Sequence, residues 1–263
     1  MNPVIVPTAP VASAERFGAY RQVTIEAPEI AASARPGQFL NICVQPGGVH
    51  ILRRPFSIAR ADRNDGTVMI VFDPIGPGTQ WLGAREKGDA LDIVGPLGHG
   101  FDVTADPGVD IIVGGGYGTA ALSFLAAELE ARGGTVHAII GARTQTRVYE
   151  DAVLDESCAS IAVVTDDGSA GVQGLVTDPM PEMIKRFAPR VVYACGPMPM
   201  LRAVAGVAAE ADVPTQLAVE EFMACGIGVC WTCILPIRTN GDVKHARSCT
   251  DGPVFEGEAV AWA

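Results

Sequence analysis

Residues 110–122 read DIIVGGGYGTAAL, a short apolar run that meets four glycines and continues into helix-forming residues. This order predicts a buried strand, a tight turn and a helix. Amide groups at such a turn, together with the helix N-terminus, favour binding of a pyrophosphate. The glycines depart from the strict G-x-G-x-x-G register, and no acidic residue ends the next strand. A strand–helix turn without a ligand is therefore the alternative to a dinucleotide site.

The alternation of strand and helix continues downstream. A helix is expected over 119–132, with Leu122, Leu125, Ala126 and Leu129 on one face and Gly133 as its stop. Apolar runs follow at 135–140, 160–165, 190–195 and 215–220, with helical segments at about 172–187 and 197–211. This pattern predicts a doubly wound parallel sheet.

A second strand-to-helix junction, YACGPMPML at 193–201, contains Cys195 and Gly196. It is placed at the carboxyl end of a predicted parallel strand, where open sheets bind ligands. The alternative for Cys195 is a buried core thiol.

Residues 1–105 follow a different pattern of short alternating strands, such as RQVTIEA, QFLNICV and TVMIVFD, separated by Gly and Pro turns. This spacing predicts an antiparallel sandwich or barrel. LRRPFSIA at 52–59 offers arginines that can clamp a phosphate, and DPIGPGTQWL at 73–82 offers a glycine-rich turn with the Thr79 hydroxyl. An exposed, solvated face is the alternative for the arginine pair.

The last residues, 220–263, are too few for an independent core and contain Cys225, Cys230, Cys233 and Cys249. The C-x4-C-x2-C start matches the ligand spacing of plant-type [2Fe–2S] clusters. A structural zinc site is the alternative, although zinc usually takes cysteines in C-x2-C pairs. A Rieske centre needs two histidine ligands, and only His245 is near.

Composition narrows the class of protein further. The net charge of −11 argues against a nucleic-acid-binding protein, which needs a basic surface. The N-terminus lacks the pattern of a signal peptide, and the longest uncharged run, 17 residues from Ile111, is short for a membrane span. We therefore expect a cytoplasmic protein without membrane association, whose seven cysteines are thiols or metal ligands.

Taken together, RRPFSI, GPGT, GPLGHGF, VGGGYGTAAL, TDDGSAGVQGLVTD, YACGPMPML and EEFMACGIGVCWTC resemble the electron-transfer subunits of class 1B dihydroorotate dehydrogenases, within the ferredoxin–NADP reductase superfamily. The resemblance covers essentially the whole chain. It implies an FAD-binding antiparallel β-barrel (1–105), a doubly wound NAD-binding α/β domain (106–219) and a small C-terminal [2Fe–2S] lobe (220–263).

The resemblance also assigns roles to residues, motif by motif. The FAD site would comprise Arg54, Pro55, Phe56 and Ser57, the strand segment Val71, Phe72 and Asp73, and the pyrophosphate turn Gly78 and Thr79. The nicotinamide dinucleotide would face Gly115, Gly116 and Gly118, with Cys195 and Gly196 near the position of hydride transfer. Ser57 and Cys195 are the expected catalytic residues, and Cys225, Cys230, Cys233 and Cys249 are the expected cluster ligands.

The resemblance implies that electrons pass between NAD(H), the flavin, the cluster and a partner flavoprotein that oxidises dihydroorotate, in a heterotetramer. Tyr117 and Ala121 depart from the family pattern, so NAD use follows less directly than flavin binding. Arg143 and Arg147 leave NADP open. Two alternatives stand beside this interpretation: a reductase subunit that serves a different oxidoreductase, and a zinc-stabilised binding module without redox activity.

Overall fold

The N-terminal half forms a closed six-stranded antiparallel barrel, one of the two architectures that its strand spacing predicts. The computed structural model describes residues 3–45, 47, 50–103 and 106–262. The barrel strands are β1 Val4–Phe17, β2 Tyr20–Glu26, β3 Phe39–Cys43, β4 Arg54–Asp62, β5 Thr67–Phe72 and β6 Ala90–Leu97. Their order around the barrel is β1-β2-β5-β4-β3-β6, with the short helices α1 Pro28–Ser33 and α2 Pro77–Gly83 in the connections.

The next part of the chain forms the predicted parallel sheet. Its strands are β7 Val109–Gly115, β8 Thr135–Ala142, β9 Cys158–Thr165, β10 Val172–Gln173, β11 Val192–Cys195 and β12 Thr215–Ala218. They pair in parallel in the order β10-β9-β8-β7-β11-β12. The helices between them are α3 Thr119–Ala131, α4 Ala152–Ser157, α5 Met180–Phe187 and α6 Met198–Glu210.

The C-terminal segment contributes to two sheets. Strands β13 Ile234–Thr239 and β14 Asp242–Arg247 form a two-stranded antiparallel hairpin. Strand β15 Val254–Glu256 then pairs antiparallel with β12 and becomes the edge of the seven-stranded sheet. The cysteine-bearing segment is thus tied to the parallel sheet by main-chain hydrogen bonds.

Helix α3 is apolar on nearly every side, and its packing explains why. Leu122, Leu125 and Leu129 pack into the core between the sheet and its helices, as their spacing predicts. Phe124 points the other way and joins the barrel core. A helix that is buried on both faces needs no polar stripe. This packing fixes the glycine turn before α3 against the barrel.

One predicted helical segment is wrong in part. Residues 172–187 were expected to be helical throughout, but Val172–Gln173 form the edge strand β10 and the helix begins at Met180. Gly171 and Gly174 have positive φ angles of 61° and 154°, which interrupt any helix there. The domain boundary predicted between residues 105 and 106 adjoins residues 104–105, which lie outside the described residues. In the described part of the chain, none of the helices is long and apolar enough to cross a bilayer.

Candidate functional site

The loop around Cys225 directs backbone amides at its sulfur. The N–H groups of Ile227, Val229 and Cys230 lie 3.4–3.5 Å from Cys225 Sγ. Gly226 has a φ of 70°, a left-handed conformation that lets the chain wrap around the sulfur. Amide donors to sulfur stabilise a thiolate and tune a metal centre that the thiolate binds.

The four cysteines influence one another. Cys225 lowers the pKa of Cys230, whereas Cys233 raises the pKa of Cys249, and Cys225 raises the pKa of Cys249 as well, so the two pairs adjoin each other. The Thr232 hydroxyl donates to Cys230 Sγ at 3.2 Å, and this hydrogen bond is the main reason why the pKa of Cys230 falls to about 6. Burial raises the pKa of Cys249 to about 12, and the neighbouring Cys233 adds to that increase. One pair is thus exposed at Cys230, whereas the other is buried.

The chemistry of the four cysteines fits a two-iron cluster. Backbone amides donate to Cys225 Sγ and the Thr232 hydroxyl donates to Cys230 Sγ. A [2Fe–2S] cluster needs four cysteines, and two adjacent thiol pairs can supply two ligands to each iron. The residues present therefore fit the cluster that their spacing predicts.

The cysteine loop is fastened to barrel strand β3. Asn41 Nδ2 donates to the backbone carbonyl of Cys225 at 3.1 Å. In the β3–β4 ladder, Asn41 lies opposite Pro55, and Phe39 lies opposite Ser57. The strand that holds the cysteine loop is therefore the neighbour of the strand that begins with the predicted FAD segment.

A small apolar cluster completes this junction. Cys233 and Cys249 pack with Phe39 and Leu97 of the barrel, and all four are nearly inaccessible to solvent. This packing holds the second thiol pair against β3 and β6. Water is excluded on the side of the cysteines that faces the barrel.

Arg54 and the predicted pyrophosphate turn lie beside each other. A Cβ atom placed on Gly78 would lie 3.9 Å from Arg54 Nε. Within the described part of the chain, Arg54 donates to backbone carbonyls, with Nη1 2.8 Å from Leu52 O, and is paired with no carboxylate. Thr79 Oγ1 accepts from Gly76 N at 3.1 Å and shapes the start of α2. The arginine, the glycine turn and the hydroxyl are brought together as a phosphate-binding group requires.

The other predicted FAD residues divide between the core and the surface. Phe56 and Phe72 are buried, with their ring centroids 5.2 Å apart. Val71 is also buried, in a cluster with Tyr20. Ser57 is exposed. The side chains of Val71 and Phe72 therefore support the barrel wall, and Ser57 is available to a ligand.

The two predicted nicotinamide segments meet at the carboxyl ends of β7 and β11. Gly114 lies opposite Cys195 in the parallel ladder. A Cβ atom on Gly118 would lie 2.9 Å from the Cys195 carbonyl, and one on Gly196 would lie 3.2 Å from Gly115 Cα. The glycines therefore let the two turns approach each other closely. Burial raises the pKa of Cys195 to about 12, so its side chain is a neutral thiol.

Tyr117 joins this glycine turn to the cysteine segment. Its hydroxyl donates to Glu220 Oε1 at 2.6 Å, and its ring meets that of Tyr20 edge-on, with the centroids 6.0 Å apart. Burial raises the pKa of Tyr117, and the carboxylate of Glu220 raises it further. The phenol is therefore a stable donor to Glu220 at neutral pH.

The barrel and the sheet are also joined by an ion pair. Arg147 Nη1 lies 2.6 Å from Asp73 Oδ2, and Tyr20 donates to the Arg147 carbonyl at 2.8 Å. Arg143, the second arginine considered for a 2′-phosphate contact, is exposed at the end of β8. Of the two arginines, Arg147 is therefore already neutralised by Asp73, which is itself a predicted FAD-segment residue.

Comparison with known proteins agrees with this geometry. Residues 220–261 match the family described as the iron-sulfur cluster binding domain of dihydroorotate dehydrogenase B. The dihydroorotate dehydrogenase B (NAD(+)) electron transfer subunit of Desulforamulus reducens is 36% identical over 241 residues, which cover 90% of each chain. This chain belongs to the family of dihydroorotate dehydrogenase B electron transfer subunits. The subunit of Geobacillus thermodenitrificans is 37% identical over 91% of this chain and 92% of its own.

Solved structures extend the comparison to the fold of this family member. An NADH-dependent reduced ferredoxin-NADP oxidoreductase, described for flavin-based electron bifurcation, superposes with a TM-score of 0.86 at 30% identity, over 98% of this chain and 91% of that one. A ferredoxin reductase of carbazole 1,9a-dioxygenase superposes with a TM-score of 0.65 at 21% identity, covering 81% and 67% of the two chains, and shows the fold alone. The barrel and parallel sheet are thus those of ferredoxin reductases.

Several residues that hold the site together were not predicted from the sequence. Asn41 lies in the strand FLNIC, where an amide among apolar residues is the signal of a buried polar contact. Glu220 has no local signal that separates it from its acidic neighbour Glu221. The pairing of Asp73 with Arg147 has no local signal, because the two residues are 74 positions apart.

Proposed function

We propose that this chain passes electrons between NAD and a catalytic flavoprotein that oxidises dihydroorotate, in pyrimidine biosynthesis. It would bind FAD on the barrel and a [2Fe–2S] cluster at Cys225, Cys230, Cys233 and Cys249. The names of its relatives and the ferredoxin reductase fold support this function. In this function, the three predicted units (1–105, 106–219 and 220–263) divide the binding of FAD, NAD and the cluster among them.

One observation carries the proposal. Asn41 lies opposite Pro55 in the barrel ladder and donates to the Cys225 carbonyl at 3.1 Å. Neighbouring strands lie about 5 Å apart, so the FAD segment and the cysteine loop are separated by little more than one strand. A protein that only bound zinc would have no need for this proximity.

The residues of the chain would then prepare the site. When bound, FAD supplies the conversion between hydride chemistry at nicotinamide and single-electron transfer to a [2Fe–2S] cluster. Arg54 and Thr79 would hold the pyrophosphate, and Ser57 would face the isoalloxazine. Cys195, kept as a neutral thiol by burial, would line the position of the nicotinamide. The glycines at 115, 116, 118 and 196 would leave room for the dinucleotide backbone.

NAD is favoured over NADP by the surroundings of Arg147. An arginine that recognises a 2′-phosphate must be free to donate to it. Arg147 is paired with Asp73 at 2.6 Å, which leaves only Arg143 of the two candidates. This supports NAD as the physiological nicotinamide cofactor.

The cysteine lobe, residues 220–263, also has an exposed apolar surface of the kind that a redox partner would need. Its exposed apolar side chains are Phe222, Ile227, Val229, Trp231, Ile234 and Val243, with relative exposures of 40–88%. Cys230 lies among them in the sequence and is itself exposed. Exposed apolar groups of this size mark interaction surfaces, so the catalytic flavoprotein would dock here and assemble with this chain into a heterotetramer. We place this assembly in the cytoplasm, where thiols stay reduced.

A second candidate keeps the cofactors and changes the partner. The solved oxidoreductase at a TM-score of 0.86 belongs to an electron-bifurcating system rather than to a dihydroorotate dehydrogenase. A subunit of this fold can therefore serve another oxidoreductase. The two candidates differ in which flavoprotein binds the cysteine lobe.

The first test is an anaerobic ultraviolet–visible spectrum of the purified chain before and after NADH. We expect a flavin band and broad iron–sulfur absorption, both bleached by NADH. Dihydroorotate alone should leave the spectrum unchanged until the catalytic flavoprotein is added. A colourless protein with stoichiometric zinc would refute the proposal, and reduction by another co-purified oxidoreductase instead would support the second candidate.

A further inference from the structure

The tip of the first barrel hairpin brings two arginines together. Strands β1 and β2 are joined by the two-residue turn Gly18–Ala19, and Arg16 lies directly opposite Arg21 in the ladder. Like charges at directly opposed positions destabilise an antiparallel pair. The hairpin therefore carries a local concentration of positive charge in a chain with a net charge of −11.

Neither charge is neutralised within the protein. Among the described residues, the side chains of Arg16 and Arg21 take part in none of the ion pairs or side-chain hydrogen bonds, whereas Arg53, Arg85 and Arg147 each face a carboxylate. Arg21 Nε is fully buried without a hydrogen-bond partner. The two Nη groups of Arg21 are not among the buried atoms without a partner, so these are the donors that a ligand on the surface would meet.

The two arginines line a concave pocket of about 360 Å³ on the barrel surface. Its other walls include Tyr20, Pro74, Gln80 and Gly83. The stem of Arg21 is held in place, because a Cβ atom on Gly83 would already lie 3.4 Å from Arg21 Cγ. The described lining contains two cations and no acidic residue. The pocket is a depression that opens widely to solvent.

We propose that this pocket binds a phosphate group carried by a small molecule. Two guanidinium groups supply a charge of +2, which a phosphate dianion matches and a single carboxylate does not. The Gln80 amide offers a further hydrogen bond beside the arginines, and Pro74 and Ala84 offer apolar surface to the remainder of the ligand.

The pocket borders the dinucleotide site described above, since Pro74 and Gln80 directly follow the predicted FAD residues Asp73 and Thr79. None of its lining residues belongs to the predicted FAD or nicotinamide sets. Tyr20 stands between the two regions, since it lines the pocket and its ring also meets that of Tyr117 at 6.0 Å. The hydroxyl of Tyr20 is already used by the Arg147 carbonyl. A ligand in the pocket would therefore lie next to the junction between barrel and sheet, on the side of Tyr20 that faces the pocket.

The test measures phosphate binding to the full-length protein with its cofactors. Inorganic phosphate and AMP are titrated calorimetrically against the wild type, Arg21→Gln and Arg16→Gln, with potassium chloride of equal ionic strength as the salt control. Arg85→Gln is the matched control, since Arg85 lies close by on the barrel but pairs with Asp89 and stacks on Trp81. We expect Arg21→Gln and Arg16→Gln to weaken binding of both probes at least tenfold and Arg85→Gln to leave it unchanged.

Unfolding temperatures with and without phosphate separate a binding role of Arg21 from a structural one. In phosphate-free buffer, Arg21→Gln should unfold at the same temperature as the wild type or a higher one, because it removes an unpaired buried donor. Added phosphate should raise the unfolding temperature of the wild type and not of the variant. Equal affinity in wild type and Arg21→Gln, an absence of binding to the wild type, or displacement of phosphate by saturating NAD would each overturn the proposal. These outcomes do not depend on whether NADH reduces the protein.

Discussion

Tyr117 donates a 2.6 Å hydrogen bond to Glu220, a residue 103 positions further along the chain. This contact links the glycine turn after β7 to the first residue of the cysteine segment. The ring of Tyr117 also packs edge-on against Tyr20 of the barrel. The barrel, the sheet and the cysteine segment thus meet at one side chain.

Tyr117→Phe removes the hydroxyl and keeps the ring. We expect a loss of about 1 kcal/mol in the free energy of unfolding, the usual net value of one hydrogen bond. The measurement is a double-mutant cycle in urea with Glu220→Ala. A coupling energy close to 1 kcal/mol is expected because the two groups contact directly. Additive effects of the two substitutions would mean that the bond contributes nothing to stability.

Cys230→Ala removes one of the predicted cluster ligands at an exposed position. Because FAD is assigned to the barrel, we expect the iron content to fall below one-tenth of the wild-type value while the flavin content is retained. Inductively coupled plasma analysis and the flavin absorbance of the same sample give both values. The control is Cys158→Ala, which removes a partly buried thiol at the start of β9 and should leave the iron content of the protein unchanged. Full iron retention in Cys230→Ala would rule this residue out as a ligand.

Arg54→Ala tests the phosphate contact assigned to the start of β4. The loss of a charge-assisted hydrogen bond to a phosphate should weaken FAD binding by about 10- to 100-fold. Fluorescence titration of the apoprotein with FAD measures the dissociation constant. The neighbouring Arg53 is paired with Asp92 at 2.7 Å, so Arg53→Ala should change the constant by less than about threefold. Similar effects of both substitutions would point to general charge rather than a specific contact.

The surroundings of His137 predict how the free energy of unfolding depends on pH. Its ring stacks on Phe187 with the centroids 3.6 Å apart, and its Nδ1 lies 2.7 Å from Ser160 Oγ. Burial lowers the pKa of His137, and the nearby Arg186 lowers it further. The unfolded chain therefore takes up a proton near pH 6.5, whereas the folded protein resists it. The contribution of His137 to the free energy of unfolding is therefore fully present above pH 6.5. It decreases below that pH, by at most about 1.4 kcal/mol per pH unit.

Urea unfolding at pH 7.5, 6.5 and 5.5 checks this expectation. His137→Gln should reduce the loss of stability on acidification relative to the wild type. His245→Gln is the control for replacing a histidine at an exposed position, on the hairpin strand β14. An identical pH profile for wild type and His137→Gln would show that other groups account for the acid sensitivity.

Local patterns predicted most of the architecture. The helix after the glycine turn runs over Thr119–Ala131 within a residue of its prediction, and the parallel strands lie where the apolar runs are. The failure at 172–179 arose because apolar spacing there resembles a helix while Gly171 and Gly174 require positive φ angles. Periodicity reports which side chains are buried, and it does not report backbone angles at individual glycines.

The sequence by itself determined the chemistry of this protein. The spacing of Cys225, Cys230 and Cys233 predicts a cluster, because three candidate ligands within nine residues are a local property of the chain. Only the tertiary structure decided where that cluster lies. The bond from Asn41 to Cys225 joins residues 184 positions apart, and the bond from Tyr117 to Glu220 joins residues 103 apart. Contacts at such separations depend on how the barrel and the sheet pack, and no local pattern of residues encodes that packing.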